Sequence, residues 1–300
     1  MMQKKVLCFL TGILLLINAP VFSQDLMNML DENDPPKKEL VNATFKTTRL
    51  VNGQSVENPA DGVLVFIISH RFGRVNQGAY DLFGLDQATM RLGLEYGIND
   101  RLAVGFGRST HQKTIDGFLK FKILRQSIGE QAMPVSLSYF GSMAINTLKW
   151  QEPTRKNYES SRYSYVHQLL IARKFNNRLS IQLTPTLVHK NLVPLKNDQN
   201  DIFATGFGGR FKITNRTSVN AEYFWLLPGT TADNYQNCLS LGIDIETGGH
   251  VFQLIFSNAQ PQFERAFITE TTGDWTKGDI FFGFNLTRVF TIKKPKTFRE

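Results

Sequence analysis

The sequence predicts an all-β fold, a transmembrane antiparallel up-and-down β-barrel of about 12 strands, on three observations. A hairpin at residues 86–109 alternates apolar and polar positions, the same pattern recurs down the chain, and short turns regularly exchange with long polar connections. Successive strand side chains point to opposite sides, so Met90, Leu92, Leu94 and Tyr96 share one wall while Arg91, Gly93, Glu95 and Gly97 share the other. Across Asn99-Asp100-Arg101, Leu102, Val104 and Phe106 interleave in the same way with Ala103, Gly105 and Gly107. The alternation lasts about nine residues per strand, the span of a tilted membrane strand. A soluble sandwich or lipocalin-like barrel alternates too, so the choice rests on the remaining elements.

Residues 1–23 carry Lys4 and Lys5, an apolar run at 6–17 and a cleavage region around Val21-Phe22-Ser23, the layout of a secretory signal peptide. That run is about twelve residues, short of the roughly twenty that a spanning helix needs. Cys8 departs with the signal, which leaves Cys238 and no intrachain disulfide. Part of the formal net charge of +8 sits in Lys4, Lys5 and the tail cations Lys293, Lys294, Lys296 and Arg299. Elsewhere bases are interspersed with acids along the strands, which speaks against a nucleic-acid surface. The 24 Phe among 300 residues suit a lipid-facing wall.

A polar lead-in follows, with Asp31-Glu32-Asn33-Asp34 and Pro35-Pro36-Lys37-Lys38. Strands are expected at 63–72, 88–98, 102–109, 115–125, 135–145 and 163–175, then at 179–189, 202–213, 217–227, 239–246, 251–257 and 279–290. A thirteenth candidate, 42–51, has no continuous apolar stripe, because Phe45, Thr47 and Arg49 alternate with Thr44, Lys46, Thr48 and Leu50. Single-chain bacterial barrels have even strand numbers, so this segment is the one expected to leave the wall. The resulting division is a signal peptide at 1–23, a periplasmic or luminal segment at 24–61, the barrel at 62–291 and a basic periplasmic tail at 292–300.

The turns Asn99-Asp100-Arg101, Asn176-Asn177-Arg178 and Thr214-Asn215-Arg216 resemble one another, and Asn and Asp suit them by tolerating left-handed backbone angles. Keeping Ile98 and Leu102 on one face demands an odd loop, most simply three residues. Long connections at 73–86, 149–162, 191–200, 228–236 and 258–278 define the opposite, outward rim. The last strand places Ile280, Phe282, Phe284, Leu286 and Phe290 on one face, interrupted by Arg288, as suits recognition by barrel-insertion machinery.

Ser109 and His111 invite a reading as an outer-membrane acyl hydrolase. Residues two apart on a strand sit about 6.5 to 7 Å apart, a third orienting group is missing, and Ser109 points inward, away from lipid. His70, His111, His167, His189 and His250 are scattered without metal-ligand spacing, and neither a metal nor a cofactor is expected. Alternation places Arg91, Glu95, Lys120, Lys122, Arg210, Lys212, Glu222 and Asp244 on the inner wall. These eight are either a mutually neutralising ladder or the lining of a solute-selective channel.

Asn42-Ala43-Thr44-Phe45-Lys46, Thr48-Arg49-Leu50, Ser69-His70-Arg71-Phe72-Gly73, Phe83-Gly84-Leu85-Asp86, Gly107-Arg108-Ser109, Lys120 and Arg125-Gln126-Ser127 follow in order over most of the mature chain. In these landmarks the chain resembles an uncharacterised outer-membrane β-barrel family of Bacteroidota, domain of unknown function 5777. The resemblance implies export and a barrel, and adds no catalytic residues. Taken together, these readings place the chain in the outer membrane of a Gram-negative bacterium, in contact with lipid and the insertion machinery. The expected role is a narrow channel for small solutes or hydrophobic ligands. The alternative is a structural or interaction barrel whose long loops bind a partner.

Overall fold

The computed structural model describes residues 37–193, 195–196, 198–229 and 235–293. The expected signal peptide and most of the basic tail lie outside these residues. Twelve strands form a closed barrel. They are β2 (Val63–Arg74), β3 (Ala88–Gly97), β4 (Leu102–Ser109), β5 (Ile115–Leu124), β7 (Ser136–Ile145) and β8 (Tyr163–Lys174). The wall continues through β9 (Leu179–Lys190), β10 (Asp201–Lys212), β11 (Thr217–Leu226), β12 (Cys238–Thr247), β13 (His250–Ser257) and β14 (Phe281–Thr291). Each strand pairs antiparallel with its neighbour in sequence, and β14 closes on β2. A separate two-stranded ladder joins β1 (Glu39–Leu40) to β6 (Ser127–Ile128).

The burial pattern identifies the solvent. Along β11, Val219, Ala221, Tyr223 and Trp225 are exposed, while Ser218, Asn220, Glu222, Phe224 and Leu226 are buried. Leu92 is 42% exposed and Phe106 54%, whereas Arg91 and Lys120 are 1% and 0% exposed. A water-soluble protein buries the opposite set. Apolar side chains directed outward and charges directed inward are stable when hydrocarbon surrounds the barrel.

The three similar turns hold three residues each, with Ile98 opposite Leu102, Phe175 opposite Leu179 and Ile213 opposite Thr217. Their cause differs from the left-handed angles expected, since none of their residues is among those with positive φ. Asn99 Oδ1 instead accepts from the backbone N–H groups of Arg101 (2.8 Å) and Leu102 (2.9 Å). Asn176 Oδ1 does the same for Arg178 and Leu179, and Thr214 Oγ1 for Arg216 and Thr217. A side-chain acceptor two residues back therefore closes each turn.

One candidate strand lacks regular structure, and three connections differ from the sequence reading. Residues 42–51 form bends with a single bridge, Arg49 to Gln54, and run inside the barrel. The connection 125–135 is long although it lies on the short-turn rim, where β6 meets β1; 110–114 is short although it lies on the other. Finally, the loop 258–278, expected to be polar and exposed, turns inward. Its short helix α1 (Glu264–Thr269) buries Ala266, Phe267 and Ile268 completely.

Leu92→Arg, at an outward mid-strand site, is expected to cost about 2–4 kcal/mol. Gly117→Val is also outward, but a Cβ there meets nothing nearer than 3.7 Å, so its cost stays under about 1 kcal/mol. Urea refolding titrations in lipid vesicles compare them, and equal losses would show that the faces are misassigned.

Candidate functional site: the filled lumen

Two segments enter the barrel from opposite rims. From the short-turn rim, residues 43–58 fold up and back as an irregular hairpin, with Phe45, Leu50, Val51 and Val56 almost fully buried. From the long-loop rim, α1 brings Phe267 and Ile268 against Phe224, Leu226, Val166 and Val188 of the wall. They meet at Glu264, whose Oε1 accepts from Arg49 (3.1 Å) and from Gln54 Nε2 (3.0 Å).

A segment with almost no strand pairing must satisfy its backbone by other means, because an unpaired buried amide costs as much as a lost hydrogen bond. Here the inner wall does so with side chains. Glu222 accepts from the N–H groups of Val51 (3.2 Å), Asn52 (2.7 Å) and Gly53 (3.1 Å), so one carboxylate holds the apex of the hairpin. Asn285 Nδ2 donates to Val51 O (3.1 Å), and Gln253 Nε2 donates to Leu50 O (3.1 Å). Gln182 works in both directions, accepting from Val56 N (2.9 Å) and donating to Gln54 O (2.7 Å). Arg71 donates to Asn52 Oδ1 (2.7 Å), and Lys120 Nζ to Gln54 Oε1 (3.1 Å) and Ser55 O (3.2 Å).

The eight charged positions assigned to the inner wall divide by what they touch. Lys120, Glu222 and Arg210 bind the inserted hairpin directly, Arg210 through Thr44 O at 3.2 Å. Glu95 lies 3.8 Å from Arg49 Nε, and Lys122 lies 3.8 Å from Glu57. Arg91 pairs within the wall with Asp116, Nε to Oδ1 at 2.9 Å. Asp244 accepts from Gln253 at 2.9 Å, and Lys212 is half-buried near the short-turn rim. Inward glycines make room for these groups. A Cβ on Gly107 would stand 2.2 Å from the Arg91 guanidinium, and one on Gly208 the same distance from Leu50. What space remains at the hairpin apex is a cavity of about 10 Å³ lined by Leu50, Gln54, Gln182 and Glu222, room for at most one water.

Sequence reasoning missed Arg49, Asn52, Gln54 and Glu264 because their partners are remote in the chain. It could have found Arg71, Gln253 and Asn285, which alternation places on the inner face of their strands, as it does Gln182. The Ser109 hydroxyl accepts from the backbone N–H of His111 (3.1 Å), and the His111 ring packs against Phe263. Among the described residues no group of His, Cys, Asp or Glu has the arrangement of a metal site.

Where α1 ends, Glu270 Oε1 accepts from Lys190 and Arg265, both at 2.9 Å. Burial opposes ionisation of this carboxyl, but the two cations outweigh it and hold it below its ordinary value of 4.5.

A family model described as a membrane bound beta barrel domain (DUF5777) matches residues 45–290. No curated protein sequence matches the chain. Among solved structures the barrel is similar to the NanC porin, at 7% identity and TM-score 0.48, covering 77% of this chain and 100% of that one. It is similar to the KdgM porin at 8% identity and TM-score 0.46, covering 76% and 99%. An outer membrane channel from Pseudomonas putida F1 gives 12% identity and TM-score 0.48, covering 82% and 100%.

Glu264→Ala leaves Arg49 buried with its nearest carboxylate gone and is expected to destabilise the barrel by about 3 kcal/mol. Replacing both residues by Met should restore most of that loss. Melting of the folded electrophoretic band checks both, and a double variant as unstable as the single one contradicts the pairing. A carboxyl with a depressed pKa stabilises fully above its ordinary value and loses that contribution as pH falls through the depressed one. The α1 segment should therefore stay closed from neutrality down to about pH 4.5 and loosen below it, exposing 258–278 to pepsin. Glu270→Gln removes the step.

Proposed function

The chain belongs to the membrane-bound β-barrel domain family (DUF5777), and from that premise we propose that it is an outer-membrane barrel, closed at rest, whose long loops form an outward recognition surface. The observation that carries this reading is the lumen itself, filled from both rims by segments that converge on Glu264. A steady solute path needs a continuous polar opening. Most of the inner charges that could line one bind the inserted hairpin or pair within the wall, as Lys120, Arg210 and Arg91 do. Lipid covers the apolar outer wall, and the terminal strand ending near Phe290 supports delivery by barrel-insertion machinery in a Gram-negative envelope.

A gated channel for small solutes is the second reading, favoured by one observation. The hairpin is held by side chains instead of a strand ladder, and both of its ends lie at the short-turn rim, so it can leave without breaking the wall.

Planar-bilayer recordings of the refolded full chain test the proposal. The full chain should be silent, and deletion of residues 43–58 should give steady conductance. A steadily conducting full chain would overturn the closed reading and favour the channel.

A further inference from the structure

At the long-loop mouth, above α1, a cavity of about 360 Å³ opens between four loops. Three of them contribute amide-bearing side chains: Gln77 and Gln87 follow β2, Gln112 follows β4, and Gln260 follows β13, while the fourth, after β11, brings Tyr235. Tyr235 and Phe281 stand on its wall. Its charges are already paired. Arg74 pairs with Asp279 at 3.2 Å, and Glu270 is held by Arg265 and Lys190. Burial lowers the His111 pKa despite the pull of Glu270, so this ring is neutral at physiological pH. The buried Gln77 Oε1 accepts no hydrogen bond from a described residue.

These features select a ligand chemistry. A cationic ligand would meet the cluster of Lys190 and Arg265, and an anionic one would have to compete with Glu270, which those two cations already hold at 2.9 Å. Gln112 Oε1 already accepts from Arg265 (2.6 Å) and Gln260 Nε2 already donates to Phe72 O (3.1 Å), but an apolar ligand would bury Gln87 and the free positions of the other amides without partners. A primary amide both donates and accepts, as a sugar hydroxyl does, and an aromatic face covers the apolar side of a pyranose ring. We propose that this outer mouth is a binding site for a neutral saccharide, with the glutamine amides addressing its hydroxyls and Tyr235 packing against its ring. The proposal rests on the reading of the long-loop rim as an outward recognition surface. The site also adjoins the stopper, because Glu270 and Thr271 follow α1 directly.

Calorimetric titration of the refolded full chain in detergent, with maltotriose and chitotriose as neutral probes and a sulfated oligosaccharide as the charged control, tests this. Saturable binding of a neutral probe is expected, weakened roughly tenfold by Tyr235→Ala and by Gln87→Ala. Tyr235→Phe should retain it, since the ring and not the hydroxyl is invoked. Heat-modifiable migration of each variant verifies folding. No binding of either neutral probe, preference for the sulfated control, or neutral binding unchanged in both alanine variants would overturn the proposal. Conductance separates the two readings. A silent barrel that binds no sugar refutes the site alone, and a conducting barrel that binds sugar refutes the closed state alone.

Discussion

Hydrocarbon on the outside of the wall leaves the interior as the one place where polar side chains can be satisfied, and the rest of the molecule follows from that constraint. Without water to solvate them, buried charges persist only when paired and hydrogen-bonded. Arg91 therefore locks onto Asp116, and Glu222 onto three backbone amides. The same pressure makes an irregular luminal segment tolerable. Residues 43–58 have almost no sheet of their own, yet the wall presents a donor or acceptor at each turn of their path.

Small residues inside the wall serve this network more than they thin the strands. Gly105 accommodates the ring of Phe118, Gly206 that of Phe224, and Gly208 the side chain of Leu50. Inward positions in open barrels tolerate substitution well. Here they are packed like a protein core, and their tolerance is correspondingly low. The inner face thus combines two chemistries, an ionic layer beneath β3 to β5 and an apolar seat for α1 beneath β8 to β12.

Most of the wall was legible from sequence because a period of two is a local signal, and lipid makes it strong. Each of the twelve strands was placed to within two residues, and the three-residue turns followed from register alone. Residues 42–51 could be removed from the wall by their missing stripe, but their path could not be read, since no periodicity encodes a contact with Glu222 or Glu264. The inward turn of 258–278 was lost for the same reason. Phe263, Ala266, Phe267 and Ile268 form a short apolar cluster that the surrounding polar loop concealed.

The two inserted segments have a further meaning in their positions along the chain. One immediately precedes β2 and the other immediately precedes β14, and those are the strands that meet to close the cylinder. Arg49 and Glu264, 215 residues apart, therefore link the segments that lead into the two strands of the seam. Bringing two strands together over such a distance costs loop-closure entropy, a cost that grows slowly with separation. A contact made in the interior by the flanking segments ties the two edges together, so the plug that fills the lumen also braces the seam.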